Sequence, residues 1–147
     1  MYSEKVLEIF ENPTHSGMLK GSNGIGLCKS ADGSEIFKIY VKVENDIVVG
    51  AKFKTFGCVG AIASSEIACK LIEGQNLDDV TNISYKDIVD VLGGLPAGKE
   101  ECPIMVEKAV KEAVKNYRKK QLQLAIKMQK DLEQRQFIEN KNLFVWL

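Results

Sequence analysis

Lys52-Phe53-Lys54-Thr55-Phe56-Gly57-Cys58-Val59-Gly60-Ala61-Ile62-Ala63-Ser64-Ser65-Glu66 is the stretch that decides the fold. Its first residues alternate in polarity, as a half-buried strand does. The alternation breaks at a Gly-Cys-X-Gly turn, and a run of small residues follows at once. That run predicts a helix over residues 61–73, ended by Gly74 as a left-handed stop. A strand entering a helix through this turn places the Cys58 thiol at an open helix N-terminus. Unpaired backbone N–H groups and the helix dipole there favour a thiolate. A thiolate attacks sulfur donors and binds soft metals, so the chemistry is expected at this turn.

Upstream, residues 35–44 place Phe37, Ile39, Val41 and Val43 on one face. Residues 47–56 do the same with Ile47, Val49, Ala51 and Phe53, and Asn45-Asp46 supplies the turn. The pair predicts a β-hairpin with one buried face. Residues 14–34 are rich in Gly, Ser and Asn. They leave room for a short strand near Ile25–Lys29 and a turn at Ala31-Asp32-Gly33-Ser34. The chain opens on a helix over residues 3–11, capped by Ser3 and stopped by Asn12-Pro13.

Downstream, residues 77–81 predict a helical turn, and Ser84 caps a helix over 85–92 that ends at Gly93-Gly94. Cys102 stands just before Pro103, a residue favoured at the first helical position. Cys102 therefore shares the helix-N-terminal setting of Cys58. A long final helix follows, with Val106, Val110, Ala113, Val114 and Tyr117 on one face and Leu124, Met128 and Leu132 as its continuation. Residues 118–136 are more polar, and the chain closes on Phe144-Val145-Trp146-Leu147, an apolar end that needs a cover. A fold back onto its own domain or a second copy would supply one.

The 147 residues fit one ordinary domain, 45% hydrophobic content allows a real core, and the formal net charge is zero. A neutral chain lacks the electrostatic footprint for nucleic acid or an anionic membrane. No apolar run reaches membrane-spanning length, and the opening Met1-Tyr2-Ser3-Glu4-Lys5 does not read as a secretory signal. The expected compartment is the cytoplasm. The cysteines are Cys28, Cys58, Cys69 and Cys102, with no Cys-X-X-Cys pair. That spacing fits neither a disulfide framework nor a zinc finger. Cys69 reads as packing on its helix, and the single histidine, His15, as a surface loop residue with no link to Cys58. A thiol enzyme needs a base beside its nucleophile, so an enzyme is not expected.

The chain resembles the NifU/IscU-type iron–sulfur cluster assembly scaffolds. Four segments carry the likeness over about residues 2–120. They are Tyr2-Ser3-Glu4-Lys5-Val6 with Glu11-Asn12-Pro13 and Gly17; Lys38-Ile39-Tyr40-Val41-Lys42-Val43; Phe53 through Ser65; and Gly93-Gly94-Leu95-Pro96 with Lys99 and Cys102. The resemblance implies an α+β fold, a small antiparallel sheet of about three strands covered by helices, with the long helix at the C-terminus. It divides the chain into a scaffold domain, 1–120, and a helical extension, 121–147. It also implies a scaffold that takes iron, and sulfur from a cysteine desulfurase, then passes a labile [2Fe–2S] cluster to apo recipient proteins, with a homodimer as one form.

This sequence departs from the family pattern at the ligands. The family's first Cys-Gly-Asp motif falls on Gly33-Ser34-Glu35, so its cysteine is missing and Glu35 stands for its aspartate. The histidine often found before the third cysteine is Glu101 here. The candidate ligands are therefore Cys58, Cys102, Cys28, Glu35 and Glu101, with Asp32 nearby; Cys28 is equally a small core residue of a strand. Such a set also suits a single zinc ion, or a paralogue that keeps the fold as a binding or regulatory module. Lys99 is a candidate partner-binding residue. Leu95, Pro96 and Lys99 fit the Leu-Pro-Pro-Val-Lys sequence that docks Hsp70-type chaperones in some members; Ala97 and Gly98 do not.

Overall fold

The computed structural model describes the backbone of residues 1–146 and the side chains of residues 1–142. The apolar end at 143–147 thus lies outside the described side chains. The elements are α1 (Glu4–Glu11), β1 (Gly24–Lys29), β2 (Ile36–Glu44), β3 (Ile47–Phe56), α2 (Val59–Ile72), α3 (Leu77–Thr81), α4 (Tyr85–Leu92) and α5 (Glu101–Trp146). The expected α+β class holds: one antiparallel sheet of three strands in the order β1-β2-β3, with helices and a long C-terminal helix.

The helix punctuation follows side-chain chemistry. Ser3 caps α1 by accepting from the Val6 N–H at 3.2 Å. A capping box formed by Ser84 and Asp87 opens α4, and Gly93 closes it in the left-handed region at φ 73°. Asn45 and Asp46 both take positive φ, 51° and 60°, the conformation that a two-residue hairpin turn demands.

The hairpin contains one correction. Val49 was expected on the buried face with Ala51 and Phe53, yet it is 48% exposed and Val48 is fully buried. The β2–β3 register shifts between Lys42 and Val43, so that Lys42 faces Gly50 but Val43 faces Val48. One residue of β3 is unpaired at this bulge, and the side-chain alternation inverts beyond it.

The sheet face that carries Phe37, Ile39, Val41, Ala51 and Phe53 is the core. Gly24 and Gly26 lie opposite Val41 and Ile39 on the same face. A Cβ on Gly26 would stand 1.9 Å from the Ala109 carbonyl oxygen. The glycines of β1 are therefore a close-packing requirement, since the first half of α5 lies directly on them. Asn116 reinforces the contact by accepting from the Ile25 N–H at 2.9 Å.

The outer edge of β3 is also covered. The Phe53 N–H donates to the His15 carbonyl and the Gly17 N–H to the Phe53 carbonyl, each at 2.8 Å. His15 itself is half-buried and engaged, not a free surface side chain. Its Nδ1 lies 2.5 Å from a Glu66 carboxylate that is 1% exposed, and its Nε2 lies 3.1 Å from Glu73. The His15 N–H and the Thr14 hydroxyl also donate to Glu66, at 2.7 and 3.1 Å. A carboxylate in the middle of a small-residue helix needs such partners.

The chain forms two compact units, Met1–Tyr117 and Arg118–Leu147. The first holds the sheet, α1–α4 and the opening of α5, where Val106, Val110, Ala113, Val114 and Tyr117 are buried as expected. The second is the rest of α5, whose residues 118–142 are all exposed.

Candidate metal centre

The Gly57-Cys58 turn sets the first donor. Cys58 is the N-cap of α2, with extended backbone (φ −88°, ψ −178°) and no side-chain capping bond. Its thiol is thus left available beside the helix N-terminus. Cys102 sits in the first turn of α5 and is 2% exposed. The two Sγ atoms are 3.9 Å apart.

The loop between β1 and β2 brings the third donor. Asp32 organises that loop by accepting from the Ser30 hydroxyl (2.8 Å), the Ser34 hydroxyl (2.7 Å) and the Ser34 N–H (3.0 Å). Ser30 ties the far side: its hydroxyl accepts from the Glu35 N–H at 2.9 Å, and its N–H donates to the Glu35 carbonyl at 2.9 Å. The Glu35 carboxylate then stands 3.9 Å from the Cys102 thiol. Glu35, Cys58 and Cys102 each offer an atom within 4.8 Å of the others, the one such group of acidic, thiol or imidazole side chains among the described residues. A depression of about 500 Å³, lined by Ser34, Glu35, Phe56 and Cys58, opens beside it. Phe56 on its lip is 74% exposed.

The remaining candidates lie elsewhere. Cys28 is on the core-facing side of β1, opposite Phe37, with Lys108 and Glu112 of α5 as its charged neighbours. Burial is the main cause that raises its pKa. Glu101 is exposed in the first turn of α5. Cys69 is fully buried, in line with a packing role. Gly33, at the place of the family's first cysteine, turns at φ 75° with open space around it.

The electrostatics oppose a full set of anions without a cation. Burial pushes the Cys102 thiol up to about 12, and the charges of Cys58 and Glu35 add to the effect. Lys99 answers them: the Cys58 thiolate is the leading cause that raises the Lys99 pKa, followed by Tyr2. Tyr2 was read only as part of a sequence likeness. Its hydroxyl is buried without a well-formed hydrogen bond, and its pKa is raised by burial first and then by Cys58. The signal for it in the sequence was the amphipathic first helix, which packs against α2 and so carries the N-terminus to this turn.

The model of the NifU-like N terminal domain matches residues 1–124. The chain belongs to that family. Among curated relatives, the nitrogen fixation protein NifU of Nostoc sp. is 39% identical over 125 residues, which cover 80% of this chain and 42% of the relative. The iron–sulfur cluster assembly scaffold protein IscU of Aquifex aeolicus is 39% identical, with 82% of this chain and 78% of that protein covered. The iron sulfur cluster assembly protein 1 of Trachipleistophora hominis is 42% identical, with 81% and 88% covered. This chain spans about two fifths of the length of the NifU relatives it matches.

Solved structures agree in fold. A putative iron–sulfur cluster assembly scaffold protein for the SUF system from Fervidobacterium islandicum superposes with a TM-score of 0.60 at 16% identity, over 77% of this chain and 96% of that one. The N-terminal part of a NifU-like protein from Brucella abortus gives 0.57 at 16% identity, over 80% and 94%. Within this NifU-like fold the site is built at the meeting of the β1–β2 loop and the starts of α2 and α5. No helix among the described residues is long and apolar enough to cross a membrane.

Proposed function

We propose that this chain is a scaffold on which iron and sulfide are gathered into a nascent iron–sulfur cluster that is then released to recipient proteins. The convergence of Glu35, Cys58 and Cys102 in a NifU-like fold carries the reading. Two thiolates at one tetrahedral metal, each bonded at about 2.3 Å, stand about 3.8 Å apart. The Cys58–Cys102 separation of 3.9 Å fits a pair that chelates one metal atom. Glu35 adds a harder oxygen donor. A [2Fe–2S] cluster takes four protein ligands, and this group supplies three, so a cluster held here is labile. Lability suits cargo that must leave.

The partners follow from the chemistry. The Cys58 thiolate, beside Lys99 and a helix N-terminus, is the group that takes sulfur from a cysteine desulfurase. It bonds to the outer sulfur of the donor's persulfide, and the donor leaves as its thiolate; a two-electron reductant, such as a dithiol or reduced ferredoxin-type donor, then converts that sulfur to the sulfide of the cluster and regenerates the Cys58 thiolate. Apo iron–sulfur proteins are the recipients. Lys99 and the exposed Phe56 are the contact residues proposed at the rim. The scaffold domain takes residues 1–120 and the extension 121–147. Nothing beyond Leu95, Pro96 and Lys99 supports a chaperone dock.

A second reading has its own support. Three donors around one position, with an open side, suit a single divalent ion such as zinc or ferrous iron. Anaerobic reconstitution with ferrous iron and sulfide separates the two. Stoichiometric iron and sulfide with visible charge-transfer bands, lost in Cys58→Ser, is the expected result. One bound metal and no sulfide would leave the single-ion reading in its place.

A further inference from the structure

The charges of this neutral chain are segregated. Residues 118–147 hold seven Lys and Arg against three Asp and Glu, a net +4, and residues 1–117 hold thirteen against seventeen, a net −4. The basic part is a helix with large apolar side chains in water. Leu124 is 51% exposed, Met128 58% and Leu132 57%, spaced four residues apart on one face. Lys120 begins the same row one turn earlier, and Lys127, Asp131 and Arg135 run beside it. A row of large apolar side chains left uncovered along an otherwise polar helix is unusual for a protein surface.

The first unit holds a complementary feature, away from the metal centre. A groove of about 390 Å³ runs between the end of α2, α3 and α4. Leu71, Val80, Ile83 and Val91 form its apolar lining, and Asp79 and Asp90 stand among the exposed residues around it. The carboxylate of Asp79 is engaged by the Asn76 side chain at 3.0 Å. A groove carrying Asp79, Asp87 and Asp90 is the counterpart of an apolar helix row whose neighbouring charges, Lys120, Lys127 and Arg135 against Asp131, are net basic.

We propose that the 118–142 helix of one copy docks in the α2–α3–α4 groove of a second copy, and that the exchange is reciprocal. Charge complementarity selects this occupant: the groove belongs to the acidic unit, and the basic apolar helix is part of the same polypeptide. Reciprocal exchange fills both grooves and covers both helices, which closes the assembly as a dimer. The same helix laid on an anionic membrane is the competing use of a basic apolar face.

Sedimentation velocity of the full chain across protein concentration and salt tests this. The wild type is expected as a dimer that weakens with added salt. Lys120→Glu with Lys127→Glu, and separately Asp90→Lys with Gln75→Lys, Gln75 being another residue of the groove wall, are each expected to weaken dimerisation by roughly tenfold or more, since like charges then meet. All four substitutions together are expected to restore it. Restoration cannot come from damaged folding, and far-UV circular dichroism checks each variant. A monomer at every concentration would overturn the proposal. So would a dimer indifferent to both reversals, or loss without restoration. Co-sedimentation of a monomeric wild type with vesicles rich in phosphatidylserine, lost in Lys120→Glu/Lys127→Glu, would assign the helix to a membrane surface instead.

Discussion

The Cys58 and Cys102 thiols stand 3.9 Å apart although 44 residues separate them in the chain. Each belongs to the start of a different helix, α2 and α5. The pair stands at a spacing that suits two thiolates on one metal atom, and the Glu35 carboxylate lies 3.9 Å from Cys102.

Metal binding at this pair is expected to release protons. The Cys102 thiol is pushed up to about 12, chiefly by burial, so it is protonated at neutral pH and must lose that proton to a metal. Affinity for ferrous or zinc ion should rise about tenfold per pH unit for each proton released. Titration calorimetry in buffers of different ionisation enthalpy measures the count, and Cys102→Ser should reduce it by one or abolish binding. The sign for folding is opposite. A thiol whose pKa is raised above its ordinary value of 9.0 favours the folded state fully below pH 9, and this contribution is lost as pH rises towards about 12.

Asp32 should act on the site without touching it. Hydrogen bonds from Ser34 and then Ser30 hold its carboxyl at about 2, below the ordinary 3.8. Its contribution to loop order is therefore present above pH 3.8 and lost as pH falls through about 2. Asp32→Ala is expected to loosen the Ser30–Glu35 loop and weaken metal binding several-fold, with Cys58 and Cys102 intact. Amide exchange at Ser34 and Glu35 should quicken in the same variant, and unchanged exchange would count against the positioning role.

The His15–Glu66 pair is expected to matter for stability rather than for metal. Glu66 is 1% exposed and accepts from His15 and Thr14. Removing the imidazole by His15→Ala strips a hydrogen bond from a buried charged group, which costs about 1.5–3 kcal/mol. Urea denaturation of the metal-free protein measures it. Glu66→Gln at the same site should cost less than His15→Ala, because the amide keeps an acceptor and needs no compensating charge.

Gly26→Ala is expected to be among the most damaging small substitutions in the chain. The added methyl would meet the Ala109 carbonyl at 1.9 Å and the Ala113 nitrogen at 2.4 Å, both backbone atoms that cannot rotate away. Overpacking of this kind costs about 1–3 kcal/mol or more. Thermal melts should show a large fall for Gly26→Ala and little change for an alanine at Leu27, which is 47% exposed on the other face.

Much of this protein was legible in the order of its residues. Caps at Ser3 and Ser84, stops at Gly74 and Gly93 and the Asn45-Asp46 turn act over a few neighbours, so local chemistry was enough to place α1, α4 and the hairpin. The alternation of β2 and the Gly-Cys-X-Gly turn placed a thiol at a helix start for the same reason. The remaining features depend on partners far away in the chain. The bulge that turns Val49 outward is a property of the β2–β3 pairing. Gly24 and Gly26 show their role only once α5 lies on them. His15 read as surface until Glu66, 51 residues away, claimed it. The donor group itself is of this second kind. Residue order alone put thiols at helix starts; the packing of α2, α5 and the β1–β2 loop brought Glu35 to them and turned Cys28 to the core. Coordination needs atoms within a few ångströms in space, and spacing along a chain does not specify that distance.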